Sequence, residues 1–169
     1  ESDRPFSRFM SIYAAMCRFH MKTFGTTQRQ IAAVAAKNHA NSVHNPYSQF
    51  RKTFTIDEIL AAPPITYPLT LPMCAPLSDG SAAVVLCTEA GLKRIGAGRS
   101  RGIKVAASVV RSFSNRSYTE PERNVGRLTA NRAYEIAGLG PQDMHVAEVH
   151  DAAAMGEIIQ SENLGFVPL

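Results

Sequence analysis

The residues of this sequence best suited to chemistry are His150 and Asp151, which follow the apolar run 145–149 and precede a helix-forming stretch over 152–164. That junction of strand end and helix start is where α/β folds turn polar groups toward a ligand. An imidazole there can polarise a carbonyl or hold a water, while Asp151 can cap the helix. His145 and His150 do not form a metal pair, because on a strand they point to opposite faces. Of the three cysteines, Cys17 falls on an apolar helix stripe and Cys87 in an apolar strand, where thiols are inert small hydrophobes. Cys74, beside Ala75-Pro76 in a Pro-rich connector, is the one placed to line a cavity, with no neighbour in sequence that would lower its pKa.

Several familiar chemistries are excluded. The chain has no G-x-S-x-G elbow and no Walker loop, and Gly96, Gly98 and Gly102 have the wrong spacing for a dinucleotide fingerprint. An odd cysteine count without C-x-x-C spacing argues against a disulfide framework and a zinc site, and fits a reducing compartment. The basic stretch 93–132 could meet phosphates such as those of coenzyme A, or could be a solvated face.

The elements that must position these residues can be read from periodicity. Phe6, Phe9, Met10, Tyr13, Met16, Cys17 and Met21 recur at helical steps, predicting one amphipathic helix over 4–22 with Pro5 in its first turn. Thr27 with Gln30 has capping-box spacing and opens a second helix through Ile31, Val34 and Ala35 to about Val43. Thr55 with Glu58 repeats the box before a short helix. Five prolines from Pro63 to Pro76 then predict an extended connector without a central strand.

The apolar run 81–87 predicts a strand buried on both faces, and 103–110 and 145–149 predict two more. Between and after them come helices over 89–95, 124–137 with Gly138 as its cap, and 152–164. The order from residue 81 is thus β-α-β-α-β-α, an α/β pattern.

Composition agrees with a globular chain. Of 169 residues, 45% are hydrophobic and 19% charged, enough apolar surface to offset chain entropy. The net charge of +4 is uneven, with +2 over 1–92, +8 over 93–132 and −6 over 133–169. A mildly basic total made this way is a poor argument for nucleic-acid binding, and none is expected. No run approaches the ~20 apolar residues of a membrane span, and the first residues lack the order of a signal peptide. The Asn115-Arg116-Ser117 sequon is accordingly read as accidental.

Taken together, Phe24-Gly25-Thr26-Thr27-Gln28-Arg29-Gln30-Ile31, Lys37-Asn38, Asn45-Pro46-Tyr47-Ser48-Gln49-Phe50, Tyr67-Pro68-Leu69, Cys74-Ala75-Pro76-Leu77-Ser78-Asp79-Gly80 and Glu148-Val149-His150-Asp151-Ala152-Ala153 resemble thiolases of the sterol carrier protein x type. The resemblance runs in order through nearly the whole chain. It implies a layered α/β/α/β/α fold of which this chain is the central part: 1–87 the end of the first half, with an inserted loop domain at about 20–72, 88–102 a connector, and 103–169 the start of the second half.

It also implies that His150, from the family's H-D-A-F motif, is catalytic as an oxyanion-hole donor. Cys74, Ala75, Pro76, Ala152 and Ala153 would bind substrate, with Ala75-Pro76 along the pantetheine arm. The motif's Phe is Ala153 here, expected to widen the pocket or leave a gap, and Tyr67 stands where an Asp is frequent.

None of the three cysteines corresponds to the family's nucleophile, which would lie before Glu1, as the later His and Cys-Gly motifs would lie after Leu169. The isolated chain is therefore expected to be inactive. The expected function is part of a thiolase-like acyl-CoA C-acyltransferase, with a coenzyme A thioester as substrate, no cofactor or metal, and a homo-oligomeric parent. The expected location is cytoplasmic, or peroxisomal in a eukaryote. Two alternatives are a non-catalytic acyl-CoA or lipid-binding module, or partner subunit, and a thiolase-fold lyase acting on a steroid-CoA side chain.

Overall fold

A computed structural model of the chain describes residues 8–96, 102–113, 115–117 and 119–169. Six α-helices stand among them: α1 Arg8–Phe24, α2 Gln28–Ser42, α3 Ile56–Ala61, α4 Glu89–Arg94, α5 Val125–Ala137 and α6 Ala154–Asn163. All were expected, and most boundaries agree to within a turn. The expected start of α1 before Arg8 lies outside the described residues. No described helix is long and apolar enough to cross a membrane.

Local chemistry sets these helices. Thr27 and Thr55 each accept from the backbone N–H three residues on, while Gln30 and Glu58 reach back to the capping N–H groups, so two orphan donors are satisfied per helix start. Gly25 ends α1 and Gly138 ends α5 in left-handed conformations, with φ of 76° and 65°.

Helix α2 is the centre of the packing, with α3 on one side and α6 on the other. Its Ile31, Ala32 and Ala35 are buried with Ala14 and Cys17 of α1, Ile59 of α3, Leu69 and Met73, and Ala153, Ala154 and Met155 at the start of α6. Small residues on α2 and at the α6 start allow the close approach; one stripe of apolar side chains becomes one core.

The Pro-rich connector departs from expectation. It forms a small antiparallel hairpin, β1 Pro64–Thr66 against β2 Leu69–Thr70, turning through a cis Tyr67–Pro68 bond. The first strand begins at a proline, a position where the missing donor does no harm. Arg18 donates to the Tyr67 carbonyl at 2.7 Å and Gln28 to the Pro68 carbonyl at 2.7 Å, fastening the turn to α1 and α2. The buried Thr70 hydroxyl donates to the Ile59 carbonyl at 2.7 Å.

The larger correction concerns the three predicted strands. Segments 81–87, 103–110 and 145–149 are not paired in any sheet among the described residues. Val84, Ile103 and Val146 are 84%, 94% and 80% exposed; 81–87 is exposed throughout, and the other two segments keep only half-buried residues such as Val109 and Val149. An apolar run becomes a strand only when a neighbour receives its backbone groups, and no described segment does so here.

His20, which no sequence pattern singled out, ties α1 to α6. Its Nε2 lies 2.9 Å from Glu162 Oε1 with both side chains buried, and its Nδ1 lies 2.8 Å from the Thr26 hydroxyl. Arg127 of α5 donates to the Glu162 carbonyl at 2.8 Å, so three helices meet at one residue. Replacing His20 by Ala leaves a buried carboxylate short of its donor, so unfolding free energy in urea should fall by about 1–3 kcal/mol. A loss within the ~0.5 kcal/mol typical of surface changes would contradict this role.

Candidate functional site

The site is built where two stretches far apart in sequence meet. The Ala75 N–H donates to the Ala152 carbonyl at 2.9 Å, and Cys74 and Ala153 face each other in an antiparallel bridge. This contact brings the expected residues Cys74, Ala75 and Pro76 against the loop His150–Ala153. Beside it opens a cavity of about 630 Å³, walled by α2 (Ala35, Asn38, His39, Ser42), by Phe50, Lys52 and Phe54, by 71–76, and by Asp151 and Ala154. Its walls are mainly apolar with a few convergent polar groups, the usual character of a small-molecule site.

Its aromatic side is fixed by His39. The ring Nε2 lies 3.1 Å from the Pro72 carbonyl, which makes Nε2–H the donor, and the ring meets Phe54 edge-on at 4.8 Å. The Lys52 ammonium sits 4.9 Å above the Phe54 ring centre, a cation–π contact that leaves a positive charge at the cavity mouth. The Ser42 hydroxyl lies 2.8 Å from the carbonyl oxygens of both His39 and Phe50, sharing its one proton between them, and closes the 43–50 loop onto α2.

The opposite side is acidic. Asp151 and Glu157 both face Asn38, whose Nδ2 lies 3.2 Å from Asp151 Oδ2 and 2.9 Å from Glu157 Oε2. Lys37 pairs with Glu157 at 2.8 Å and donates to Asn38 Oδ1 at 2.7 Å. Burial, then the neighbouring Glu157 charge, hold the Asp151 carboxyl above its usual 3.8. Burial and Asp151 likewise raise the Tyr13 hydroxyl on α1.

Gly156 sets how close α6 comes to this loop. A Cβ there would stand 3.0 Å from Asp151 Cα and 3.1 Å from the His150 carbonyl oxygen, both backbone atoms that cannot swing aside. Its own N–H donates to the Ala153 carbonyl at 2.7 Å.

The structure divides the residues expected to act together. Cys74, Ala75 and Pro76 line the 630 Å³ cavity, but His150 is exposed and lines a neighbouring cavity of about 510 Å³ with Val110, Arg111, Gly126, Glu148 and Gln160. Ala152 contributes its carbonyl. Ala153 is wholly buried and lines neither cavity.

Burial pushes the Cys17 thiol up to about 12 and also raises Cys74, leaving both poor thiolates. Cys87 is exposed and lines neither cavity. Three cations of the basic stretch are engaged locally: Arg123 pairs with Glu120, Arg132 with Glu135, and Arg127 holds Glu162, while Arg111 lines the 510 Å³ cavity. The cation at the 630 Å³ cavity is instead Lys52. Among the described residues no three His, Cys, Asp or Glu side chains gather as metal ligands.

Asn38, His39 and Ser42 were missed as site residues, and their signal lay in α2's own periodicity. They continue the face of Ile31 and Ala35 at three- and four-residue steps, so polar residues interrupt a buried stripe.

Two outcomes follow. Gly156→Ala should lower stability by about 1–3 kcal/mol, as overpacking does, when measured by urea unfolding; wild-type stability would show that the loop yields freely. Because Asp151 keeps its proton to higher pH folded than unfolded, it favours folding at acid pH. That contribution is lost as pH rises from 3.8 through the raised value. Carboxyl-carbon NMR should place its midpoint above 3.8, and Glu157→Gln should lower it without restoring 3.8, since burial persists.

Residues 107–169 match the family described as Thiolase C-terminal domain-like. The chain is 35% identical to a benzoylsuccinyl-CoA thiolase subunit of Thauera aromatica over 92% of its own length and 40% of that relative's. It is 36% identical to an acetyl-CoA acetyltransferase of Methanothermobacter thermautotrophicus, over 94% of this chain and 42% of that one. It is also 35% identical to sterol carrier protein 2 of Homo sapiens, over 88% and 28% respectively. The chain is thus thiolase-like over nearly its whole length and has the α/β fold class expected of part of a thiolase. It spans between 28% and 42% of these relatives.

Proposed function

We propose that this chain forms the acyl-CoA-facing section of a thiolase-type C-acyltransferase. The observation that carries the reading is the joining of Cys74-Ala75 to Ala152-Ala153 beside an apolar cavity with a positive mouth. Such a cavity suits a pantetheine thioester, whose chain is extended and largely neutral and whose far end bears phosphates. The names of the thiolase and acetyltransferase relatives support the same substrate class.

In the reaction so read, a thiolate attacks the keto carbon of a β-ketoacyl-CoA. The bond between that carbon and the α-carbon breaks: the shortened acyl group stays on the attacking sulfur as a thioester, and the bond's electrons leave with the departing CoA thioester as its enolate. A proton then returns to the α-carbon, and coenzyme A thiol accepts the enzyme-bound acyl group. His150 contributes at the second stage, donating an imidazole N–H to the thioester oxygen as enolate charge develops. The cysteine thiols of this chain are unsuited to the first stage, two being raised by burial and the third lying outside both cavities. Coenzyme A enters as part of the substrate.

Two measurements test this reading. Acetoacetyl-CoA titrated calorimetrically into the chain should bind one-to-one, and Phe54→Ala should weaken it about tenfold, or ~1.4 kcal/mol. Absence of binding by the folded chain would overturn the reading. Whole-protein mass after incubation with acetyl-CoA should show no acyl group on cysteine; acylation of Cys74 would instead make this section the nucleophile's carrier.

A further inference from the structure

We infer that Asn38 is a positioning residue that holds the His150 loop in register from a different helix. The inference rests on the reading of His150 as the oxyanion donor and extends it to the group that places it. Asn38 lies on α2, yet its one amide nitrogen meets Asp151, next to His150 in the chain, and Glu157, in the first turn of α6. Its amide oxygen accepts from Lys37, which fixes the orientation of the amide and leaves Nδ2 to the carboxylates.

The loop is held at separate points by contacts of different kinds. Ala152 is held by backbone hydrogen bonding to Ala75, and the His150 carbonyl occupies space that only a glycine at 156 leaves free. The Asn38 contact restrains the loop by a side chain, at the residue adjoining His150. Without that amide, Asp151 and Glu157 would face each other with a donor removed between them, and like charges at this range repel. Rotation of Asp151 away from Glu157 would carry the neighbouring His150 backbone with it, and a displacement near 1 Å at a catalytic group can lower a rate about 100-fold.

The variant Asn38→Asp keeps the shape, exchanges the donor for a carboxylate, and regains a donor when protonated. The titratable groups facing position 38 are Asp151 and Glu157 from the loop and α6, and Lys37 on its own helix; Tyr13 on α1 and His150 act on it through Asp151.

The test reads the ring resonances of all five histidines by nitrogen–proton NMR in the ligand-free chain, with circular dichroism as a check of folding. In Asn38→Ala and in Asn38→Asp at neutral pH, the His150 resonances should shift while those of His145 and His20 stay in place. Relative to wild type at each pH, the Asp variant should return toward the wild-type position as pH falls, and the Ala variant should not. His150 resonances that superimpose on wild type in both variants would overturn the inference. A shift shared by all five rings, with no recovery in the Asp variant, would reduce Asn38 to a general structural role and overturn it equally. Failure of the oxyanion reading is seen separately: His150→Ala would then leave β-ketoacyl-CoA turnover by the parent protein unchanged, whatever the histidine spectra show.

Discussion

The structure depends on one short stretch of backbone pairing, the meeting of Cys74 and Ala75 with Ala152 and Ala153. Its immediate surroundings are small: Ala35 on α2, Ala153 and Ala154 beside it, and Gly156 one turn on. Main chains can touch only where side chains do not stand between them. The hairpin, the 3-10 turn at Leu71–Met73 and the start of α6 are all set by that approach, and the cavity is the space left beside it. Substitution in this region therefore acts mainly through displacement of backbone.

The charges near the contact differ in weight. Exposed ion pairs such as Arg29 with Asp57 are worth roughly 0–1 kcal/mol, since water already solvates both partners. Lys37 with Glu157 belongs close to that class because the lysine is half exposed. The hydrogen bonds from Asn38 to two partly buried carboxylates are of another kind. A hydrogen bond to a charged group contributes about 1.5–3 kcal/mol, and the burial that raises Asp151 makes its loss harder to repair with water. A neutral amide thus governs this corner more than the ammonium beside it does.

How much could be read beforehand followed the range of the forces involved. The capping boxes at Thr27 and Thr55 and the glycine stop at Gly138 were legible because each is complete within a few residues. Strands at 81–87, 103–110 and 145–149 were not secured by their apolar composition, because pairing is a property of neighbours. The hairpin at β1 and β2 was hidden by prolines that read as a connector, although one sits harmlessly at its start. Cys74 was legible as a cavity residue from its place in the Pro-rich connector, and Ala75 and Pro76 through resemblance alone. Asn38 and His39 were obscured because a polar residue on a half-buried helix face reads as solvated until the opposing wall is known. His20 and Glu162 stand 142 residues apart, and nothing local announces such a pair.

The three segments left unpaired among the described residues have a consequence for the backbone itself. The first two, 81–87 and 103–110, are rich in valine, isoleucine or leucine, and all three present backbone donors and acceptors that lack sheet partners among the described residues, as the edge of a sheet does. An open row of donors and acceptors of this kind is completed only by another strand laid along it.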